Sequence, residues 1–399
     1  MEPKVHPESA FSFSDTSIAF QDKSVDELKK ARLMFSAFNY KWLLKVGPAL
    51  ARFGLNAGLP IKGLIKDTLF AQFCGGESIE DCAETVEQLN NVGIGAILDY
   101  SVEGQDNEAT FDATAAEIIH TIEKASEDAD KMPFAVFKVT GIARLYILEK
   151  AARGEDRMVG DDLAEYQRVK IRFFKITSKA AEFGVRILID AEETWIQPTL
   201  DHLTELAMKE HNKTQVIVYN TLQFYRHDRL SYLENCIQDS IENGYMLGYK
   251  LVRGAYMEKE RLRAFKRGYP SPIQRSKAES DHDFDQGLRY CVEHINTVSI
   301  CAGTHNEQSC RYLTELMQEK GVATNDKRIY FAQLLGMSDH ISYNLANAGY
   351  NVAKYVPYGP LKEVLPYLMR RAEENSSVKG QAGRELSLID AELKRRNQA

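Results

Sequence analysis

Short apolar segments alternate with longer amphipathic segments from about residue 92 onwards. Eight apolar segments have the length of buried strands, and they cover 92–102, 134–140, 185–190, 215–219, 246–252, 297–301, 329–335 and 351–356. Between them, apolar residues recur with helical spacing at 110–129, 161–183, 199–209, 228–243, 281–295, 307–320 and 339–348. Eight strand-helix units predict an α/β fold, a parallel (β/α)8 barrel of the TIM type, with an open doubly wound sheet as the structural alternative.

The chain before the first predicted strand has helical spacing and no strand alternation, with helices predicted at 41–53 and 61–73. Residues 28–66 include eight basic residues and no acidic residue. Such an amphipathic segment either packs its apolar face on the main domain, which is the commoner case, or lies on an anionic membrane. We therefore predict an N-terminal helical arm (1–90), a barrel (91–378) and a charged C-terminal tail (379–399).

Composition narrows the class of protein. The chain has 399 residues, 44% of them hydrophobic, and a net charge of −7, which is typical of a folded globular protein. An acidic pI of about 5.8 argues against nucleic acid as a partner. Six cysteines without a CxxC pair indicate reduced thiols. Because no long uncharged apolar segment or targeting segment is evident, we expect a cytoplasmic protein.

Polar residues accumulate where the predicted strands end. In a parallel barrel, the carboxyl ends of the strands meet at one mouth, where the active site lies. Any one of these residues could have a structural role, but together they predict a site at the mouth. The polar residues are Lys138, Asp190, Glu192, Glu193, Asn220, Gln223, Lys250, Arg253, Tyr256, Thr304, His305, Asn306, Tyr355 and Tyr358, and Ala191, Gly254 and Ala255 lie between them in the same loops.

The last predicted barrel helix, 361–375, carries a second candidate site. Tyr367, Arg370, Arg371 and Glu374 are spaced so that all four share one helix face. Two adjacent arginines offer forked donors that suit a carboxylate. The alternative is a solvated basic face that is balanced by neighbouring acidic residues.

Common cofactor and metal motifs are missing from the sequence. Gly93 and Gly95 are followed by Leu98 where a dinucleotide-binding turn needs a third glycine, and there is no P-loop. No HExxH motif or clustered Cys/His spacing occurs, so we expect no metal site. A cofactor would therefore be held at the barrel mouth.

Six motifs together resemble those of the FAD-dependent proline dehydrogenase family. They are Asp190-Ala-Glu-Glu193, Lys250-Leu-Val-Arg-Gly-Ala-Tyr256, Gly303-Thr-His-Asn306, Gln333-Leu-Leu-Gly-Met337, Tyr355-Val-Pro-Tyr-Gly359 and Leu365-Pro-Tyr-Leu-Met-Arg-Arg371. The resemblance implies a distorted (β/α)8 barrel with its last helix over the mouth. It also implies oxidation of L-proline to Δ1-pyrroline-5-carboxylate by hydride transfer to FAD N5, with electrons then passing to a quinone. The basic arm would supply a peripheral contact with the inner membrane.

The resemblance assigns a substrate pocket. Arg370 and Arg371 would clamp the substrate carboxylate, and Glu374 would pair with an arginine. Tyr355 would pack on the pyrrolidine ring, where relatives that act on hydroxyproline carry a smaller residue. The complete substrate set is Lys138, Tyr256, Leu335, Tyr355, Tyr367, Arg370, Arg371 and Glu374.

The resemblance also assigns Asp190 and Lys250 to catalysis, with Lys250 near flavin N5. Lys250 and Asn220 replace the Arg and Gln of many bacterial members, which indicates the eukaryotic-type branch. Because the sequence shows no sign of the second, aldehyde-oxidising domain that some relatives carry, we expect a monofunctional enzyme. Hydroxyproline oxidation, a Schiff-base aldolase using Lys138 or Lys250, and a binding module are the alternatives. The resemblance places Thr304 and His305 near the adenosine end of FAD. The FAD-binding set would be Ala191, Asn220, Gln223, Lys250, Arg253, Gly254, Ala255, Thr304 and His305.

Overall fold

Eight parallel strands form a closed barrel in the computed structural model, which describes residues 11–37, 62–101, 106–377 and 381–398. Each strand pairs with the next, and β8 closes the barrel on β1. The predicted barrel is thus confirmed over an open sheet. The strands are β1 Ile94–Tyr100, β2 Phe134–Lys138, β3 Ile187–Asp190, β4 Val218–Gln223, β5 Leu247–Val252, β6 Val298–Gly303, β7 Ile329–Leu334 and β8 Val352–Tyr358.

Helices surround the barrel, and a π-helical turn, Lys66–Phe70, joins α3 to α4. In chain order they are α1 Thr16–Ala19, α2 Val25–Ala37, α3 Lys62–Ile65, α4 Ala71–Phe73, α5 Ala83–Asn90, α6 Glu108–Glu127, α7 Leu145–Ala151, α8 Gly160–Phe183, α9 Gln197–His211, α10 Arg229–Asn243, α11 Met257–Arg267, α12 Lys277–Glu293, α13 Glu307–Glu319, α14 Asp339–Asn347, α15 Leu361–Ser377 and α16 Gln381–Gln398. The predicted helix at 41–53 lies outside the described residues.

Strand β4 begins three residues later than predicted. The predicted segment was 215–219, whereas the strand runs over Val218–Gln223. The buried side chain of Asn212 explains the shift, because its Oδ1 accepts hydrogen bonds from the backbone N–H groups of Ile217 and Val218, both at 2.9 Å. These bonds hold the chain before β4 in a turn that apolar spacing alone does not reveal.

Aromatic side chains fill the barrel interior. Phe134 lies edge-on to Tyr219 and Tyr330, with ring centroids 5.3 and 5.0 Å apart. Because side chains alternate along a strand, every second residue points inward. The interior cluster is therefore apolar at its centre, and it comprises Ile97, Phe134, Val136, Leu188, Tyr219, Cys301, Tyr330, Ala332, Ala353 and Tyr355.

The segment predicted as a charged tail contains helix α16. Leu388 and Ile389 are buried in a cluster with residues of α2 and α15. Leu386, Ile389 and Leu393 have helical spacing, but the charges around them masked this stripe in the sequence. The tail is therefore a packed helix, while the division into arm, barrel and tail stays a prediction.

The described part of the arm packs on the protein. Leu28 and Phe35 of α2 are buried in the same cluster as α16, whereas Lys29, Lys30 and Arg32 are exposed. Most of the basic segment, 38–61, lies outside the described residues. Within the described ranges, no helix is long and apolar enough to cross a membrane, and no group of three or more potential ligands is placed to hold a metal ion. All six cysteines are buried and unpaired.

The loop after β7 packs closely against helix α4 at Gly336. Gly336 has a φ of 73°, and an added Cβ would lie 2.0 Å from the backbone oxygen of Gln72. Gly184 has a similar φ of 67° but open space around it. We expect Gly184→Ala to lower the free energy of unfolding by about 1 kcal/mol through backbone strain alone. Gly336→Ala should lower it by about 3 kcal/mol, because strain and a clash add.

Chemical unfolding of the two variants beside the unmodified protein measures this difference. Equal losses for Gly184→Ala and Gly336→Ala would show that the contact between Gln72 and Gly336 is loose.

Candidate active site

One buried carboxylate lies at the centre of the barrel mouth. Asp190 ends β3 and is in register with Lys138 at the end of β2. Its Oδ1 forms an ion pair with Nζ of Lys250, and Nζ of Lys138 lies 3.5 Å from its Oδ2. The hydroxyl of Tyr355 donates a hydrogen bond of 2.8 Å to the same Oδ2. Three strands besides β3 thus converge on one side chain.

The charges around Asp190 keep it ionised. Burial alone would raise the pKa of its carboxyl, but Lys250 and Lys138 outweigh burial and the pKa is lowered. Burial and the Asp190 charge raise the pKa of Tyr355 well above its ordinary value, so Tyr355 stays protonated and donates. Nζ of Lys250 and of Lys138 lie 5.2 and 5.9 Å from the centre of the Tyr355 ring. The result is an aromatic surface beneath two cations.

Helix α15 supplies a further cation and a further ring. Tyr367 and Arg371 are buried, and Cζ of Arg371 lies 4.9 Å from the centre of the Tyr367 ring. Tyr367 contributes to the raised pKa of Tyr355, so α15 faces the mouth. Arg370 is partly exposed beside them. The side chain of Glu374 lies outside the described residues, and its pairing with an arginine stays a prediction.

Arg253 organises a polar surface beside the mouth. Its Nη1 donates to Oγ1 of Thr304 at 2.8 Å, and its Nη2 donates to Oγ of Ser309 at 2.9 Å. Gly254 is exposed with a φ of 128°, and an added Cβ would lie 2.5 Å from the ring of Tyr225. Ala255 is exposed as well. Nε of Arg253 also donates to Oδ1 of Asp281 at 2.6 Å, while each of its Nη atoms keeps one further N–H. Those N–H groups, the hydroxyl groups and the accessible backbone together suit a phosphate group.

His305 lies between this surface and helix α15. Its Nδ1 is 2.9 Å from Oγ of Ser338. Burial, followed by the charges of Lys354 and Arg371, lowers the pKa of His305 to about 3. The imidazole is therefore neutral near pH 7, with one donor and one acceptor nitrogen.

Two of the predicted site residues face away from the mouth. Asn220 neighbours the inward-pointing Tyr219, and its Nδ2 donates to Oδ1 of Asp201 in α9 at 3.0 Å. Leu335 packs against the core outside the barrel, whereas Leu334 contacts the interior cluster that contains Tyr355. Strand alternation explains both placements, because neighbouring residues point to opposite faces.

The remaining predicted residues border the mouth. Gln223 donates from Nε2 to the backbone oxygen of Glu192 at 2.7 Å and so braces the loop after β3, which includes Ala191. Tyr256 is partly buried, and burial followed by the charge of Glu192 raises its pKa, which the charge of Lys138 partly offsets. The structure thus places Tyr256 near the charges of the mouth.

Glu192 is a candidate site residue to which the sequence analysis gave no role. Its carboxylate accepts hydrogen bonds from the backbone N–H of Thr140, at 3.0 Å, and from the Thr140 hydroxyl. Burial raises its pKa to about 7. The sequence signal was the acidic pair after Asp190, of which Glu193 instead pairs with Lys259. Glu192 thus holds a proton near neutral pH beside the mouth.

Comparison with known proteins identifies the family. The model of a family described as proline dehydrogenase matches residues 82–384. The chain belongs to the proline dehydrogenase family. It is 34% identical to the carbapenem antibiotics biosynthesis protein CarD of Pectobacterium carotovorum subsp. carotovorum, across 81% of this chain and 83% of that protein. It is 33% identical to the mitochondrial proline dehydrogenase 1 of Caenorhabditis elegans, across 82% of this chain and 54% of that enzyme.

Two further proteins are similar to this chain over most of its length. A hydroxyproline dehydrogenase of Xenopus laevis is 29% identical across 98% of this chain and 91% of that protein. Proline utilization A from Bdellovibrio bacteriovorus has the same fold, with a TM-score of 0.75 at 18% identity. That match covers 95% of this chain but 44% of the solved chain. The barrel fold is therefore shared, and this chain spans about half the length of the Caenorhabditis elegans enzyme and of the solved chain.

The raised pKa of Glu192 predicts a pH-dependent stability. A pKa raised from 4.5 to about 7 means that the folded protein binds a proton that the unfolded chain releases. Stability from this group is present below about pH 4.5 and is lost as the pH rises through about 7. The loss is on the order of 3 kcal/mol, because one pKa unit corresponds to about 1.4 kcal/mol. Glu192→Gln mimics the protonated form, so this variant should not show the loss of stability as the pH rises.

Unfolding curves of both proteins between pH 4.5 and 8 provide the measurement. Parallel pH profiles would contradict a protonated Glu192.

Proposed function

We propose that this protein oxidises L-proline to Δ1-pyrroline-5-carboxylate at the barrel mouth, with bound FAD accepting the hydride. The observation that carries the proposal is the convergence of Lys138, Lys250 and Tyr355 on Asp190 at the mouth. Tyr367 of α15 contributes to the raised pKa of Tyr355, and the guanidinium of Arg371 lies over the Tyr367 ring. A small cyclic amino acid needs a cation for its carboxylate and an apolar wall for its ring, and these residues supply both.

The proposed substrate contacts follow from these positions. Arg370 and Arg371 bind the carboxylate through their forked donors, and Lys138 closes the other side of the pocket. The ring then packs on Tyr355, with Tyr256 and Tyr367 completing the wall. A carboxylate clamp at one end fixes the orientation of the ring, which is the main contribution that a protein makes to hydride transfer.

The residues beside the mouth fit FAD. Arg253, Thr304 and the accessible backbone at Gly254 suit its phosphates, while Lys250 stands on the side of the mouth where we place the flavin ring. FAD supplies a two-electron acceptor that no side chain of this protein provides. Ala191, Gln223, Ala255 and His305 complete the proposed set. Asn220 is left out of this set, because its side chain donates to Asp201 outside the barrel.

The electron acceptor of the reduced enzyme would be a membrane quinone. We therefore propose a cytoplasmic location with peripheral contact to the inner membrane through the basic arm. The exposed Lys29, Lys30 and Arg32 on α2 support this contact, since Leu28 and Phe35 already anchor the other helix face.

The ion pairs at the mouth weigh against an aldolase. A Schiff base forms from a neutral amine, whereas Lys138 and Lys250 both lie at ion-pair distance from Asp190. Hydroxyproline oxidation is the second candidate, because the Xenopus relative is described as a hydroxyproline dehydrogenase. Tyr355 opposes it, since its ring leaves less space for a ring hydroxyl than a smaller residue would.

Anaerobic titration of the purified, FAD-loaded protein tests this function. L-proline should bleach the visible absorbance band of the flavin. Hydroxyproline should bleach it at least about tenfold more slowly, which corresponds to a difference of about 1.4 kcal/mol in activation free energy. Tyr355→Ser should narrow or reverse this preference, because it removes the ring that fills the pocket.

Tyr367→Phe serves as a matched control, since it keeps the aromatic wall. A flavin band that neither amino acid bleaches would overturn the proposed reaction. Unchanged rate ratios in Tyr355→Ser would overturn the role of Tyr355 while leaving the reaction in place.

A further inference from the structure

Helix α16 reaches the loops that follow β6 and β7. Nε of Arg384 donates to Oε1 of Glu307, the first residue of α13, at 2.9 Å. The next residue, Glu385, is 3% exposed, and its Oε1 accepts a hydrogen bond of 2.7 Å from the backbone N–H of Ser338. The family match ends at residue 384, so Glu385 lies just beyond it. A buried carboxylate from the end of the chain is thus joined to the barrel mouth.

Ser338 has an unusual backbone conformation. Its φ is 53°, and it is the only non-glycine residue with a positive φ among the described residues. A side chain in this region is strained and persists only where neighbouring contacts hold it. Glu385 holds it on one side, and on the other side Nε2 of Gln72 donates to the backbone oxygen of Gly336 at 2.9 Å.

The strained turn aims the Ser338 hydroxyl at His305. Ser338 is buried, and its Oγ lies 2.9 Å from Nδ1 of His305. The neutral imidazole needs this partner to fix its ring orientation and tautomer. A continuous chain of hydrogen bonds therefore runs from Glu385 through Ser338 to His305.

We propose that Glu385 is a positioning residue for the cofactor site, which holds His305 in place through Ser338 and makes helix α16 a part of the wall around the adenosine end of FAD. This proposal rests on the proposed function for the identity of the cofactor. Glu385 itself touches neither the cofactor nor the substrate in this arrangement. It acts on binding of the adenosine end and leaves the flavin end unchanged.

Binding of FAD and of FMN to the full-length apoprotein tests the proposal, because FMN lacks the adenosine. Flavin fluorescence quenching gives both dissociation constants. We expect Glu385→Ala and Ser338→Ala each to weaken FAD binding about tenfold, with FMN binding unchanged. That is the scale of losing one hydrogen bond, between Glu385 and Ser338 in the first variant and between Ser338 and His305 in the second. Glu385→Gln keeps an acceptor oxygen and should restore FAD binding.

Glu392→Ala is the matched control on the same helix. Glu392 is buried and pairs with Arg395 and Arg396 without contact to Ser338. It should lower the thermal midpoint while leaving FAD affinity within about twofold, since the two sites do not share a partner. The double variant Glu385→Ala/Ser338→Ala should bind FAD no more weakly than Ser338→Ala, because both substitutions break the same chain of hydrogen bonds.

The outcomes separate the two proposals. Equal losses for FAD and FMN in Glu385→Ala, or FAD affinity unchanged in both Glu385→Ala and Ser338→Ala, would overturn the positioning role alone. Failure of the unmodified protein to bind FAD would overturn the proposed function and this inference with it.

Discussion

The barrel mouth depends on the ion pairs of one buried carboxylate. Asp190 binds Lys250 directly and lies within 3.5 Å of Lys138, which is also 3.4 Å from the buried carboxylate of Asp99. A buried charge without a partner is strongly destabilising, and these pairs therefore fix where the side chains of three strands must lie. Tyr355 is fixed by the same carboxylate. The aromatic floor and the cations of the mouth are thus set by a single group.

The apolar packing of the barrel gives this group its environment. Rings such as Phe134, Tyr219 and Tyr330 fill the centre of the barrel, so only the carboxyl ends of the strands are left for polar chemistry. Helix α15 adds Tyr367 and Arg371 from above, and helix α16 packs behind it through Leu388 and Ile389. The mouth is therefore formed by barrel and terminal helices together.

The sequence predicted what depends on periodicity and chain order. Eight apolar segments predicted the barrel. Because the carboxyl ends of parallel strands meet at one mouth, they also predicted that Lys138, Asp190 and Lys250 lie close together. Strand alternation could have separated Asn220 and Leu335 from the mouth, but it needs the true register. The side-chain hydrogen bonds of Asn212 delay the start of β4 by three residues. The spacing of apolar residues does not reveal these bonds.

Other features depend on contacts between residues far apart in the chain. The charged sequence of α16 conceals an apolar stripe whose role appears only against α2 and α15. The raised pKa of Glu192 arises from burial, which a position in an acidic motif does not disclose. The bond between Glu385 and Ser338 joins residues 47 positions apart.

Unfolding of Asp190→Asn, alone and combined with Lys250→Met, tests the central role of this carboxylate most directly. If Asp190 organises the mouth, the single variant should lose about 3–5 kcal/mol of unfolding free energy, because the buried ammonium group of Lys250 loses its charged partner. Lys138 keeps a second partner in Asp99. Adding Lys250→Met should recover much of that loss. A single variant as stable as the unmodified protein, or losses that simply add, would contradict the account.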